Sequence, residues 1–153
     1  MIALDTNILV YAHREEFPLH AEARSCIEQL VANGQRFAIP WPCAHEFFSV
    51  VTHPRRFRPP STADQAFAFL NTLASTDLSV WLSEGDLHLR QLESLVTSSR
   101  IQGPQIHDAR IAALCLANGI RELWTADRDF TRYPTLKIRN PLILRTINPS
   151  QIS

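Results

Sequence analysis

Four acidic residues follow or flank apolar segments and are the side chains best suited to chemistry. They are Asp5, Glu46, Asp108 and Asp127. A single aspartate after a strand most often bonds a turn amide or caps a helix. Four such acids in a chain with one lysine favour a metal counter-charge, because clustered carboxylates repel one another and hard cations prefer oxygen ligands. Magnesium or manganese held there can bind a phosphate oxygen and activate water, which predicts phosphodiester hydrolysis.

The pattern of apolar residues predicts the elements that must position these acids. Short strands are predicted in the segments IALD, FAIP, LSVWL, ELWT and LKIRN. Helices are predicted over residues 17–34, 41–53, 61–75, about 84–99 and 105–118. Gly34 and Gly119 close two helices, and Ser61 with Asp64 resembles a capping box at the start of a third. This alternation predicts a three-layer α/β domain with a central, mostly parallel sheet flanked by helices.

The predicted elements can bring the four acids together. In open α/β sheets, ligands bind beyond the carboxyl ends of the strands, near the point where strand order reverses. Asp5 ends the first predicted strand and Asp127 follows ELWT, so pairing of these two strands would place both carboxylates in one crevice. Glu46 shares a helix face with apolar residues, and we expect it to face inward. Asp108 lies near the N-terminus of a predicted helix, where the helix dipole favours an anion.

Composition limits the remaining possibilities. The 153 residues, 45% of them hydrophobic, are enough for one domain with its own core. Fifteen acidic residues balance fifteen basic ones, so binding to nucleic acid would have to be local. Neither a membrane span nor a signal segment is recognised, and a cytoplasmic location is expected. The widely spaced Cys26, Cys43 and Cys115 are expected to be free, buried thiols.

Four motifs contain the acids in order along the chain. The motifs are ALDTN, AHEFFSVVT, IHDARIAALCLANG and LWTADRDF. Together they resemble the motifs of PIN-domain ribonucleases and, within that family, of the VapC-type toxins of bacterial toxin–antitoxin pairs. Each motif alone is weak, but four in this order across nearly the whole chain are specific. The resemblance implies a PIN-like nuclease domain over residues 1–141, followed by a tail over residues 142–153 to which no function is assigned.

The resemblance also implies an activity, partners and residue roles. It implies a magnesium- or manganese-dependent endoribonuclease that acts as the toxin of a type II pair, with an RNA substrate, a cognate VapB-type antitoxin and a homodimeric state. The implied catalytic residues are Asp5, Glu46, Asp108 and Asp127, and the implied metal ligands among them are Asp5, Asp108 and Asp127. Asn7 and Thr125 are implied supporting residues. Asp129 is expected to be a supporting or turn residue, because its register in a helical turn points it away from Thr125.

A basic loop over residues 53–60, HPRRFRPP, is a candidate for RNA binding. Arg55, Arg56 and Arg58 place three guanidinium groups within four residues, and Phe57 offers a ring on which an unpaired base could stack. The alternative is a solvated loop in which Phe57 packs inward.

Several other functions compete with this hypothesis. A haloacid-dehalogenase-like phosphatase needs a second aspartate two residues after the first, where this chain has Asn7. A phosphoryl-accepting receiver module needs paired acids near the first strand, and a nucleotide-binding fold needs clustered glycines, which the chain lacks. A catalytically inactive PIN-like scaffold that only binds partners is disfavoured by the presence of all four acids. His45 and His107, each next to an acid, are either a base or ligand or ordinary packed and solvent-facing side chains.

Overall fold

A computed structural model describes residues 1–143. The strands are β1 (Ile2–Leu4), β2 (Phe37–Pro40), β3 (Ser79–Leu82), β4 (Glu122–Trp124) and β5 (Lys137–Arg139). The helices are α1 (Thr6–His13), α2 (His20–Ala32), α3 (Trp41–Val51), α4 (Ala63–Ala74), α5 (His88–Ser98) and α6 (Ile106–Ala117). Two short 3-10 helices span Gly103–Gln105 and Arg128–Arg132. The predicted tail lies outside the described residues from residue 144 onward.

In the described part of the chain, five parallel strands form one sheet in the order β3-β2-β1-β4-β5. Strand order reverses between β1 and β4, which are direct neighbours. Leu4 pairs with Trp124, so the residues that follow them emerge side by side at the carboxyl edge of the sheet. This is the position at which open α/β sheets place their ligands, and the pairing of β1 with β4 meets the condition under which Asp5 and Asp127 were expected to share one crevice.

Both faces of the central strands are covered by helices. Ala3 and Leu4 of β1 are fully buried, and every residue of β2 is buried. Because consecutive strand residues point to opposite faces, this burial requires a helical layer on each side. Helix α1 packs against α2 and α3, and α5 packs against α6. The predicted three-layer α/β architecture is confirmed, with a sheet that is parallel at every described pairing.

Helix α1 is the element that the sequence pattern missed. It begins immediately after Asp5, whose side chain accepts a hydrogen bond from the Thr6 amide and so caps the helix. Ile8, Leu9 and Val10 are all buried, so the helix has no polar face along this stretch. A helix buried on several sides lacks the apolar periodicity that identifies surface helices, which explains why this one was not predicted.

Other element boundaries were corrected by one to a few residues. The capping box of α4 is formed by Thr62 and Gln65 rather than by Ser61 and Asp64. Ser61 is instead buried, 4% exposed. Helix α5 starts at His88, later than expected. The predicted closure by glycine is correct for α6, where Gly119 adopts a φ of 70° and the Ile120 amide donates to the Cys115 carbonyl.

Two expectations from composition can be compared with the structure. All three cysteines are free; Cys43 and Cys115 are buried, whereas Cys26 is only half-buried. Over residues 1–143, the helices are too short or too polar to cross a membrane.

Candidate active site

Asp5 is the buried centre of the carboxyl edge and is only 4% exposed. Its Oδ1 accepts hydrogen bonds from the Thr6 amide at 2.8 Å and from the Cys43 thiol at 3.6 Å. Its Oδ2 accepts from the Thr125 hydroxyl at 2.7 Å and from the Asn7 amide group at 3.0 Å. Burial raises the pKa of the Asp5 carboxyl to about 6, although the hydrogen bonds from Thr125 and Thr6 oppose this rise.

Thr125 and Asn7 connect the ends of β1 and β4. The Thr125 hydroxyl donates to Asp5 and accepts from the Asn7 Nδ2 group at 3.0 Å and from the Asp127 amide at 2.9 Å, which uses its full bonding capacity. The Asn7 Oδ1 accepts from the Ala126 amide at 3.0 Å. These bonds fix the turn after β4 relative to β1, and they give the two predicted supporting residues a definite position beside the acids.

Three carboxylates converge above this network. Oxygens of Asp108, Asp127 and Asp129 lie within 4.8 Å of one another. Asp127 caps the N-terminus of the second 3-10 helix, and its Oδ1 accepts a hydrogen bond from the Asp129 amide at 2.8 Å. The tight turn therefore brings the Asp129 carboxylate close to the other two instead of turning it away, because capping draws the two residues together. Asp5, by contrast, lies outside this group of three.

Burial and neighbouring charges disfavour ionisation of Asp108. The pKa of the Asp108 carboxyl is raised, first by burial and then by the charges of Asp127, Glu46 and Asp129. Arg132 partly opposes this effect, and it reaches Asp129 only at 4.0 Å. Three carboxylates this close together, with Arg132 as a distant basic neighbour, have the donor chemistry of a site for a hard divalent cation.

Glu46 occupies a different position from the one predicted. It was expected to face inward, but the structure places it among the exposed residues of α3. Its Oε2 accepts a hydrogen bond from the Thr6 hydroxyl at 2.8 Å, so the carboxylate lies at the rim of the acidic cluster. The helix periodicity gave the approximate direction of the side chain, but it could not show that Glu46 borders a cavity and is exposed there.

One cavity of about 450 Å³ joins the four predicted acids, and we call it the acidic cavity. Asp5, Glu46, Asp108 and Asp127 all line it. Its other wall is apolar and consists of Val10, Tyr11, Phe17, Val50, Phe57 and Phe130. The basic side chain on its lining is that of Arg56. The four acids that are far apart in sequence therefore share one space, with an apolar wall and a basic group beside them.

Arg14 anchors the basic loop over residues 53–60. This arginine was not predicted from the sequence to have a role. Arg14 donates to the Ser61 hydroxyl at 2.9 Å and to the Pro59 carbonyl at 3.0 Å. Its guanidinium lies 4.4 Å from the centre of the Phe57 ring. Glu16 accepts from the same guanidinium. No local pattern marks Arg14, because its partners in this loop are more than forty residues away.

Phe57 packs inward and does not offer a free ring. It is 9% exposed, with Arg14 over its face and the edge of Phe17 at 5.9 Å between ring centroids. The expectation of base stacking on Phe57 is therefore wrong, and the inward-packing alternative is correct. The side chains of Arg55, Arg56 and Arg58 are exposed, so all three remain candidates for binding RNA phosphates.

Comparison with known proteins identifies the family. The family model for the PIN domain matches residues 2–136 of the chain. The chain belongs to the PIN-domain family. Ribonuclease VapC43 of Mycobacterium tuberculosis is 32% identical over 142 residues, which cover 93% of this chain and 96% of that protein. Ribonuclease VapC31 of the same organism is 32% identical over 143 residues, covering 93% of this chain and all of that one. The predicted resemblance to VapC-type ribonucleases is confirmed.

A solved structure agrees with this assignment at the level of the fold. The crystal structure of VapBC2 from Rickettsia felis, bound to a DNA fragment from its promoter, matches with a TM-score of 0.67 and 23% identity. The match covers 91% of this chain and 98% of the other. The chain thus shares its overall fold with a chain of that solved structure.

Proposed function

We propose that this protein is a metal-dependent endoribonuclease that acts as the toxin of a type II toxin–antitoxin pair. The observation that carries the proposal is the meeting of Asp5, Glu46, Asp108 and Asp127 in one cavity at the carboxyl edge of a PIN-domain sheet. The similarity to proteins named as VapC ribonucleases supports RNA as the substrate.

Magnesium or manganese is the proposed cofactor, and the donor set supports it. Asp108 and Asp127 would hold the ion, with either Asp129, which lies close to both, or Asp5, which the family pattern implies, as a further ligand. When bound, a divalent ion would neutralise the phosphate charge and favour ionisation of water near the cluster.

The chain's own residues have separable roles in the proposed reaction. Thr125 and Asn7 hold the turn that presents Asp127, so they orient the cluster before substrate arrives. Glu46 is exposed at the rim, and among residues 1–143 its side chain is bonded through Oε2 to the Thr6 hydroxyl alone, so its other oxygen can accept a proton from the attacking water. The water oxygen bonds to phosphorus as the bond to the leaving nucleotide oxygen breaks.

Substrate binding requires positive charge close to the acids. Arg56 lines the acidic cavity, and Arg55 and Arg58 are exposed on the same loop. Arg14 fixes this loop, so the three arginines stay beside the cavity without the cost of ordering a free segment. We propose that they contact phosphates that flank the scissile bond.

The proposed antitoxin is a VapB-type protein that covers the acidic cavity. The cavity combines acids with an apolar wall, which fits a segment that carries apolar side chains and one basic group. The VapBC2 pair among the solved neighbours supports such a partner. Coexpression with a candidate antitoxin should give a stable complex without ribonuclease activity. A complex that cleaves RNA at the rate of the free protein would contradict this mechanism.

A homodimer is also expected, and light scattering measures it directly.

The catalytic proposal is tested with a pool of random-sequence single-stranded RNA. Cleavage is expected with magnesium or manganese and not with a chelator alone. Asp127→Asn should abolish cleavage, whereas Asp77→Asn should not, because Asp77 does not line the acidic cavity. A folded wild-type protein that binds the metal but cuts no RNA would instead support the partner-binding scaffold. Release of phosphate from a phosphomonoester would support the phosphatase.

A further inference from the structure

A second, smaller cavity lies on the other side of the catalytic acids. Its volume is about 290 Å³, and we call it the α3–α6 cavity because its walls come from these two helices. It is lined by Pro42, Glu46, His107, Asp108, Arg110 and Ile111. Glu46 and Asp108 also line the acidic cavity, so the two cavities meet at these carboxylates. A chain that crosses the acids from the side of Arg56 would continue into the α3–α6 cavity.

The lining of this second cavity favours a nucleobase over a phosphate. Glu46 and Asp108 form one side of the cavity, and their carboxylates repel a phosphate that no cation neutralises. Pro42 and Ile111 supply apolar surface against which a flat ring can pack. Ligand cavities of about 300 Å³ are at the lower end of the usual range, so this one has room for a single small group.

Arg110 is held in a defined orientation at the edge of the cavity. Its Nε and Nη2 groups both contact a carboxylate oxygen of Glu84, in the loop between β3 and α5. The side chain is 39% exposed, so the remaining N–H groups of its planar fork are available to a ligand. His107, on the same helix α6, is exposed and adds an imidazole ring to the edge of the cavity. Fixed donors of this kind can read the edge of an unpaired base.

We infer that the α3–α6 cavity binds the nucleobase that flanks the scissile phosphate on the side away from the 53–60 loop. His107 and Arg110 then determine which base is preferred there. This inference rests on the proposed ribonuclease activity, and it deepens that proposal by assigning a specificity site. The loop arginines contact phosphates, which carry no sequence information, so base preference requires a separate site of this kind.

The test is a cleavage map of a random-sequence RNA pool, in which the bases on both sides of each cut are read by sequencing. His107→Ala and Arg110→Gln are each expected to lower the preference at one flanking position by about 5-fold or more, which is the effect of removing one good hydrogen-bonding partner of a base. The preference at positions on the opposite side of the cut should not change. Arg90→Gln, which removes an exposed arginine of α5 that lines neither cavity, should give the wild-type map.

A matched variant separates base binding from stability. Glu84→Gln breaks the same ion pair but keeps the cation, so we expect it to lower the base preference less than Arg110→Gln does, because the donor groups remain but are held less firmly. A decrease in Glu84→Gln equal to that in Arg110→Gln would assign the effect to the ion pair and overturn the inference. The exposed His107 gives an independent result if Arg110→Gln fails to fold. If the wild type cuts RNA and both variants keep the wild-type map, the α3–α6 cavity is not a base site. If the wild type cuts no RNA, the proposed function itself fails.

Discussion

Replacing Asp5 by asparagine is expected to remove a large pH-dependent cost of folding in the metal-free protein. The Asp5 carboxyl is almost fully buried, and burial raises its pKa from 3.8 to about 6. A pKa difference of about 2 corresponds to about 3 kcal/mol at 25 °C. Ionisation of Asp5 therefore lowers the free energy of unfolding by up to about 3 kcal/mol relative to the protein with a protonated Asp5.

The sign of this effect follows from proton binding. Between about pH 4 and about pH 6 the folded protein keeps the Asp5 proton while the unfolded chain has released it. The folded state binds more protons, so the contribution of Asp5 to the free energy of unfolding falls as pH rises through this window and is constant above it. His13 acts in the opposite direction, because burial lowers its pKa and its protonation at low pH favours unfolding. The pKa of Asp108 is also raised, so its ionisation likewise lowers the free energy of unfolding as the pH rises.

The comparison of wild type with Asp5→Asn isolates the contribution of this carboxyl. Urea unfolding in the presence of a chelator, at steps from pH 4 to pH 7, gives the free energy of unfolding of both proteins. Asparagine also weakens the hydrogen bonds from Thr125 and Thr6, but that cost does not depend on pH and cancels in the slope. We expect the variant to gain about 3 kcal/mol relative to wild type between pH 4 and pH 7. Parallel curves over this range would refute the claim that burial disfavours ionisation of Asp5.

Three other outcomes are expected. Asp127→Asn should abolish RNA cleavage at saturating manganese with the fold intact, whereas Asp129→Asn should retain substantial activity; equal inactivity would make Asp129 a ligand of equal importance. Thr125→Val should lower the free energy of unfolding by about 1–3 kcal/mol, because it leaves buried partners of the hydroxyl unpaired, and an unchanged urea midpoint would contradict the bonding network described. Replacing the three arginines of the 53–60 loop with glutamine should weaken RNA binding and flatten its salt dependence by up to about 0.7 log units per log unit of salt for each phosphate that is no longer bound. Unchanged affinity and salt slope would assign the loop to structure or to partner binding.

The sequence predicts those parts of the site that depend on short stretches of neighbouring residues. Asp5 and Asp127 each follow a short apolar strand, and the closing glycine marks the end of the helix that carries Asp108. Their meeting at one edge then follows from the general behaviour of parallel sheets. These signals were enough to expect Asp5 and Asp127 at one edge of the sheet, whereas the grouping of all four acids was implied by the family resemblance.

The parts that the sequence did not reveal depend on contacts between distant residues. Phe57 looks like an exposed aromatic ring in a basic loop, but Arg14 and Phe17 bury it. Helix periodicity predicts that Glu46 is buried, but that pattern does not report that this part of α3 borders a cavity. The closeness of Asp129 to Asp108 depends on a tight turn whose geometry is fixed by hydrogen bonds rather than by residue type.

Helix α1 connects two functional parts of the molecule, and its length is therefore constrained. The helix begins after Asp5 in the acidic cavity and ends before Arg14, which anchors the 53–60 loop. In an α-helix each added residue rotates the following side chains by about 100° and advances them by about 1.5 Å. A single insertion within α1 would thus move Arg14 away from Pro59 and Phe57 while Asp5 stayed in place. Over the course of evolution, length changes should accumulate in exposed loops away from both cavities, such as residues 33–36, and α1 should keep its eight residues.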